Sequence, residues 1–149
     1  MKIILFSDIH SNLPALQAFF NDVEERDADA IYCLGDLVGY NIWPNEVIEE
    51  IKKRKIPTIA GNYDFGIGRS SDDCGCAYKT DEEKANGAVS ISLTNELIND
   101  DNRVYFSDNE EDDEYYHEKI RKPLLRHYGK RIKEKYDEVM FSNNGEMIQ

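Results

Sequence analysis

Histidine is scarce in this chain. His10, His117 and His127 are the only three, so a metal centre built here needs most of its donors to be oxygen. Positive charge is also short, with 18 Lys and Arg against 30 Asp and Glu and a net charge of −12. A surface this acidic repels nucleic-acid phosphates over its whole area, so a nucleic-acid partner is not expected. No run approaches the roughly 18 consecutive apolar residues of a membrane-spanning helix, so no membrane span is expected. Cysteine is limited to Cys33, Cys74 and Cys76. An odd number without a regular framework argues against a disulfide scaffold and for reduced thiols. Cys33 lies in an apolar run and reads as a small core residue. Cys74-Gly75-Cys76 has no partner C-x-x-C, and reads as a loop carrying two thiols rather than a structural zinc site. No internal repeat is visible.

What is present suits one globular domain. The chain has 149 residues, 40% apolar and 32% charged. Its start, Met1-Lys2-Ile3-Ile4-Leu5-Phe6-Ser7-Asp8, runs directly into the first candidate motif. A cleavable leader there would remove that motif, so a cytoplasmic protein is expected.

Lys2 to Phe6 reads as a buried strand. Asn12 is placed to cap a helix over Leu13 to Arg26, with Pro14 in its first turn and Leu13, Leu16, Phe19, Phe20 and Val23 at helical spacing. Ala30 to Leu34 reads as a second strand. Pro44 opens a second helix with Val47, Ile48 and Ile51 inward and Lys52 to Lys55 at its end. Pro57 to Ala60 reads as a third strand. Phe65 to Thr80 reads as a glycine-containing loop, and Asp81 to Ile98 as a helix capped by Thr80 with Glu83 at capping-box spacing. Asn102 to Phe106 fits either a short strand or a helical turn. Six acids in the seven positions 108–114 read as a solvated linker. Beyond it, Tyr115 to about Phe141 reads as a charged helix kinked at Pro123, and Ser142 to Gln149 as a frayed end.

Alternating strands and helices of these lengths predict a parallel, right-handed arrangement. Ligands in such sheets gather beyond the carboxyl ends of the strands. Three strings stand at those ends: Ser7-Asp8-Ile9-His10-Ser11-Asn12, Gly35-Asp36-Leu37-Val38-Gly39 and Gly61-Asn62-Tyr63-Asp64. Asp8 and His10 face the same way in an extended segment, because side chains alternate. A carboxylate and a neutral imidazole suit manganese, iron, zinc or nickel better than calcium. Asp36 offers two oxygens, enough to bridge two ions, and Asn62 offers a neutral carbonyl oxygen. Gly35 and Gly61 let the backbone turn tightly before Asp36 and Asn62. Taken singly, each residue has a plainer role as a cap, turn former or surface group. Together, at three successive strand ends, they describe half of a two-metal hydrolytic centre.

These strings resemble the calcineurin-like metallophosphoesterase superfamily, whose pattern runs D-x-H, G-D and G-N-H-D, then a lone His and G-H-x-H. The segments SDIHSN, CLGDLVGYN, GNYD and DDCGCAYK are similar to a bacterial subgroup of phosphodiesterases and phosphoprotein phosphatases. The resemblance covers Met1 to about Phe106. It implies an α/β fold, a parallel βαβαβ half of an αββα sandwich over 1–107, followed by a linker at 108–114 and a helical tail at 115–149. It further implies that Asp8 and His10 ligate a first ion, Asp36 bridges, and Asn62 ligates a second. Tyr63 and Asp64 would occupy the catalytic end of the third string. Two divalent ions are implied, manganese foremost, acting on a phosphomonoester, phosphodiester or phosphoprotein.

The chain departs from the pattern in two ways. Tyr63 stands where the family often has His, and a phenol of pKa near ~10 donates hydrogen bonds but is a poor acid at neutral pH. His117 and His127 are the only histidines left for the second half, and neither lies in G-H-x-H. The second ion would thus lack ligands unless one of these histidines or a second chain supplies them. The expectation is therefore a weak phosphoesterase, with a non-catalytic metal-binding, phosphate-binding or interaction protein as the alternative. A homo-oligomer would complete the sheet or the metal shell. The eight Lys and Arg between Lys119 and Lys135 read as a basic face that folds back on the acidic linker or body, with a basic helix for nucleic acid or an acidic partner as the alternative.

Overall fold

The computed structural model of this chain describes residues 2–107. The expected linker, the charged helix with Pro123, His117 and His127, and the frayed end lie outside the described residues.

β1 (Ile3–Phe6) and β2 (Ala30–Cys33) pair in parallel, with Ile3 opposite Ala30 and Phe6 opposite Cys33. Their β-branched and aromatic residues suit a pleated, half-buried surface. Between them, α1 (Leu13–Glu24) begins where Asn12 Oδ1 accepts the Ala15 N–H at 3.1 Å. That bond satisfies one of the orphan donors of the first turn, and Pro14 needs no partner there. The helix stops two residues before the expected Arg26, whose N–H instead closes a tight turn on Val23 O. Leu16, Phe20 and Val23 form its buried stripe.

α2 (Pro44–Arg54) buries Val47, Ile48 and Ile51 completely, as its spacing predicts. Lys52, Lys53 and Arg54 fall in its last turn, where the helix dipole favours cations. The third expected strand is much reduced. Residues 57–59 make a single parallel bridge, Thr58 to Cys33, held by Cys33 N–H to Pro57 O and Ile59 N–H to Cys33 O. Pro57 has no N–H to continue a ladder, which confines the pairing to one step.

The expected loop after Asn62 is corrected in its first part. Residues Asn62–Gly68 form α3. Two of its glycines serve close packing: a β-carbon on Gly66 would meet Cys74 Sγ at 2.6 Å, and one on Gly68 would meet Phe106 Cβ at 2.8 Å. α4 (Asp81–Leu97) starts with the expected capping box, Thr80 Oγ1 accepting from Glu83 N and Glu83 Oε2 accepting from Thr80 N. α5 (Asp100–Ser107) resolves the choice between strand and helix over Asn102 to Phe106 as helix.

One cluster of buried apolar side chains joins these elements, including Phe6, Leu16, Phe20, Cys33, Ile48, Ile51, Ile67, Ile91 and Phe106. Each fully buried large aliphatic contributes about 1.5–3 kcal/mol of transfer free energy. Polar ties complement it. Arg103 donates to Ile67 O and to the side chain and backbone of Asn95, linking α3, α4 and α5. Asn45 bridges α2 to the α4–α5 turn, donating to Leu97 O and accepting from Asn99 N. No helix among the described residues is long and apolar enough to cross a membrane.

Candidate metal centre

The parallel ladder continues past the ends of β1 and β2. Asp8 N–H donates to Gly35 O at 3.0 Å, His10 N–H to Asp36 O at 2.9 Å and Ser11 N–H to Leu37 O at 2.7 Å. Two loops that leave adjacent strands are thus laced together, and this lacing sets Asp8 and His10 beside Asp36. Asp8, His10, Ser11 and Asp36 all take positive φ, between 48° and 58°. Asp and His tolerate this left-handed region better than most residues, but each such residue still costs about 1 kcal/mol or more. Strain of this kind collects where surrounding structure holds a functional geometry.

One ligand atom each from Asp8, His10 and Asp36 lies within 4.8 Å of the others, and among the described residues this is the one such grouping of His, Cys, Asp or Glu. His10 is oriented from behind: its Nδ1 lies 2.9 Å from Val38 O, so Nδ1 carries the proton and donates. In the Nδ1–H tautomer Nε2 is the nitrogen open to a metal, 3.7 Å from Asp8 Oδ1. A second bond fixes the tautomer and ring plane in the way metal-ligating histidines use. Tyr40 and Tyr63 meet the imidazole edge-on, with ring centroids at 4.8 Å and 5.4 Å, and Asn41 Nδ2 donates to His10 O. Ser7 Oγ donates to Asp8 Oδ2, and Tyr63 N–H donates to Asp36 Oδ1 at 2.9 Å. Two carboxylates and an imidazole nitrogen converging in this way fit a divalent first-row metal.

The third string is divided in its placement. Asn62 opens α3, and its amide NH₂ donates to Cys74 O at 2.8 Å and Cys76 Sγ at 3.2 Å. Its carbonyl oxygen accepts no hydrogen bond among the described residues. Tyr63 is 1% exposed, with its phenol 3.4 Å from that of Tyr78. Burial pushes its ionisation well above the usual phenol range, so it remains a neutral hydrogen-bonding group.

Asp64, expected with Tyr63 among the catalytic residues, is completely buried. Its oxygens accept from Val38 N and Gly61 N, both at 3.1 Å. Desolvation pushes its pKa up to about 6 despite these bonds. Asp64 therefore braces two loop backbones, tying the segment after Asp36 to the start of α3.

The sequence reading missed the supports of the site: Val38 O, Tyr40, Asn41 and the 74–76 turn. Tyr40 and Asn41 follow the Gly35-Asp36 string directly, and this adjacency was the available signal. Val38 acts through a backbone carbonyl, which no side-chain pattern reveals.

Carboxylates and an imidazole at the carboxyl ends of parallel strands define a candidate divalent-metal site. The family profile of the calcineurin-like phosphoesterases matches residues 1–145, and this chain belongs to that family. The match runs past the motif strings, which end before residue 107. Over 101 residues the chain is 41% identical to an uncharacterized protein of Methanocaldococcus jannaschii, covering 67% of this chain and 38% of that protein. It is also 36% identical to a UDP-2,3-diacylglucosamine hydrolase of Shewanella baltica, covering 46% of this chain and 35% of the relative. In structure it is similar to a metallophosphoesterase from Sphaerobacter thermophilus, at a TM-score of 0.52 and 27% identity over 72% of this chain and 40% of the other. The chain thus spans about two fifths of the length of these proteins or less.

Proposed function

We propose that this chain is a divalent-metal phosphoesterase that transfers a phosphoryl group from an alcohol to water, with manganese as the working ion. The observation that carries the reading is the Asp8–His10–Asp36 group, with its ligand atoms within 4.8 Å of one another and its imidazole held by Val38 O. Asp8 and His10 would hold the first ion. Asp36 and the amide oxygen of Asn62, which accepts no hydrogen bond among the described residues, would offer donors to a second. Such ions, when bound, supply Lewis acidity and lower the pKa of water towards neutrality.

The chain's own residues orient and enclose. Val38 O keeps the Nε2 lone pair of His10 aimed at the donor group. Tyr63 excludes water from one side of the imidazole and remains a neutral phenol throughout. In the net reaction the water oxygen forms the new bond to phosphorus, the bond to the alcohol oxygen breaks, and the alcohol departs with a proton from that water.

A second reading rests on the same count of donors. Three convergent side chains suffice for one ion, and a single-ion protein would bind phosphate without rapid turnover. Manganese stoichiometry and hydrolysis of p-nitrophenyl phosphate and its bis ester decide between them. Two ions per chain with manganese-dependent turnover abolished in Asp36→Asn is the expected result. One ion per chain without turnover favours the binding protein. No manganese bound, or turnover indifferent to metal and to Asp36→Asn, overturns the metal-dependent hydrolase.

A further inference from the structure

A cleft of about 450 Å³ lies along the start of α4. Its lining includes Asp72, Asp73, Tyr78 and Lys84, with the apolar Ala88 and Ile91. Two contacts tie it to Asn62 and Tyr63, at the start of α3. Cys76, which also lines it, has its Sγ 3.2 Å from Asn62 Nδ2. The Tyr78 phenol lies 3.4 Å from that of Tyr63, whose ring packs edge-on against His10. A chain of side chains therefore runs from His10 through Tyr63 and Tyr78 into the cleft.

The cleft has a structural requirement. A β-carbon on Gly87 would stand 1.9 Å from the Tyr78 hydroxyl oxygen, so Tyr78 lies directly over the helix at Gly87. Glycine in a helix interior costs about 0.5–1 kcal/mol relative to alanine. α4 bears that cost where it seats Tyr78 between the cleft and Tyr63.

We infer that this cleft receives the leaving alcohol of the phosphoester, an uncharged, hydroxyl-bearing small molecule of the sugar or nucleoside class. The inference rests on the phosphoesterase reading and narrows its substrate. A volume of this size falls within the range of small-molecule sites, about 300–1,000 Å³. Asp72 forms no hydrogen bond or ion pair among the described residues, and one oxygen of Asp73 is already taken by Gly75 N. Carboxylates facing a cleft accept from hydroxyls and repel a second anionic group, which disfavours polyanionic leaving groups. Lys84 has no ion-pair partner among the described residues and is free to donate to a hydroxyl or ring oxygen. Ala88, exposed on α4 beside the buried Ile91, supplies the apolar surface that a sugar or base face covers.

Binding of the alcohol alone requires neither metal nor turnover, so it can be read separately. Uridine, adenosine and methyl glucoside are titrated calorimetrically into the metal-free full chain, and manganese is titrated into each variant. At least one of the three is expected to bind saturably, with a Kd of about 1 mM or tighter. Ala88→Trp fills the cleft from an exposed helix position and should weaken that binding at least ~10-fold, while Lys84→Ala weakens it ~3-fold or more. Manganese binding should be unchanged in both variants. Absence of saturable binding by all three alcohols overturns the inference, as does unchanged affinity in Ala88→Trp. Alcohol binding that persists when manganese binding fails keeps the cleft as an alcohol site but removes the metal reading, and with it the leaving-group role. A phosphoserine peptide that binds the wild type and is lost in Ala88→Trp, where the three alcohols do not bind, makes the cleft a phosphoprotein site and overturns the small-molecule assignment.

Discussion

A β-carbon on Gly61 would stand 2.3 Å from Asp36 Oδ1 and 2.4 Å from its backbone nitrogen. Residues 61–63 therefore lie directly against Asp36, and Tyr63 N–H completes the contact by donating to the same oxygen. Gly35 answers from the other side, since a β-carbon there would meet Gly61 N at 2.4 Å. The two glycines give the sequence strings G-D and G-N their spatial meaning. They let two strand-end loops approach until a carboxylate of one is bonded by the backbone of the other.

Gly61→Ala should thus destabilise the fold and displace Asp36. A clash of backbone with backbone has no flexible side chain to absorb it, so a loss of about 2–4 kcal/mol is expected. Denaturant unfolding measures the first effect and manganese calorimetry the second. Wild-type values in both would show that the loops have slack.

Asp36→Asn should separate structure from metal binding. The asparagine oxygen can still accept Tyr63 N–H, so metal-free stability should change by no more than about 1 kcal/mol. Manganese affinity should fall at least ~10-fold, because a neutral amide replaces a carboxylate between the donors. An equal loss in both measurements would make Asp36 a structural residue alone.

Tyr63→Phe keeps the ring contact with His10 and removes the phenol. Metal affinity should remain within about 3-fold, while turnover of p-nitrophenyl phosphate falls about 10-fold if the phenol hydrogen-bonds the reacting phosphate. Unchanged turnover would confine Tyr63 to packing.

The three thiols should differ in reactivity. Burial pushes the Cys33 and Cys74 thiols up to about 12, whereas Cys76 is half-buried. Thiolate is the reactive form, so a disulfide reagent at pH 8 should label one thiol quickly and the other two only on unfolding. Folded-state values above the ordinary 9.0 also mean that the unfolded chain loses these protons first. These thiols therefore lower stability as pH rises from 9 towards 12, by up to about 1.4 kcal/mol per thiol per pH unit, and leave it untouched below 9. Rapid labelling of all three native thiols would contradict the packing around Gly66 and Cys33.

Much of the first half was legible because its signals are local. Asn12 and Pro14 start α1, Pro44 starts α2, and Thr80 with Glu83 starts α4; each cap depends on residues within one helical turn. α3 was hidden by Gly66 and Gly68. In isolation these glycines signal a loop, but each sits where Cys74 or Phe106 leaves no room for a β-carbon. The third strand was overstated for the opposite reason, since Ile56-Pro57-Thr58-Ile59 is apolar enough for a strand while Pro57 cannot sustain its ladder.

The order of ligand-bearing strings after apolar runs is written in the chain, because alternation, caps and turns act between near neighbours. The convergence of Asp8, His10 and Asp36 was only implied there and is decided by three backbone bonds between loops that lie far apart in the chain. The proton on His10 Nδ1 and the burial of Asp64 were not implied at all. Both follow from backbone groups, Val38 O for the first and Val38 N with Gly61 N for the second, and such partners exist only once distant segments have packed.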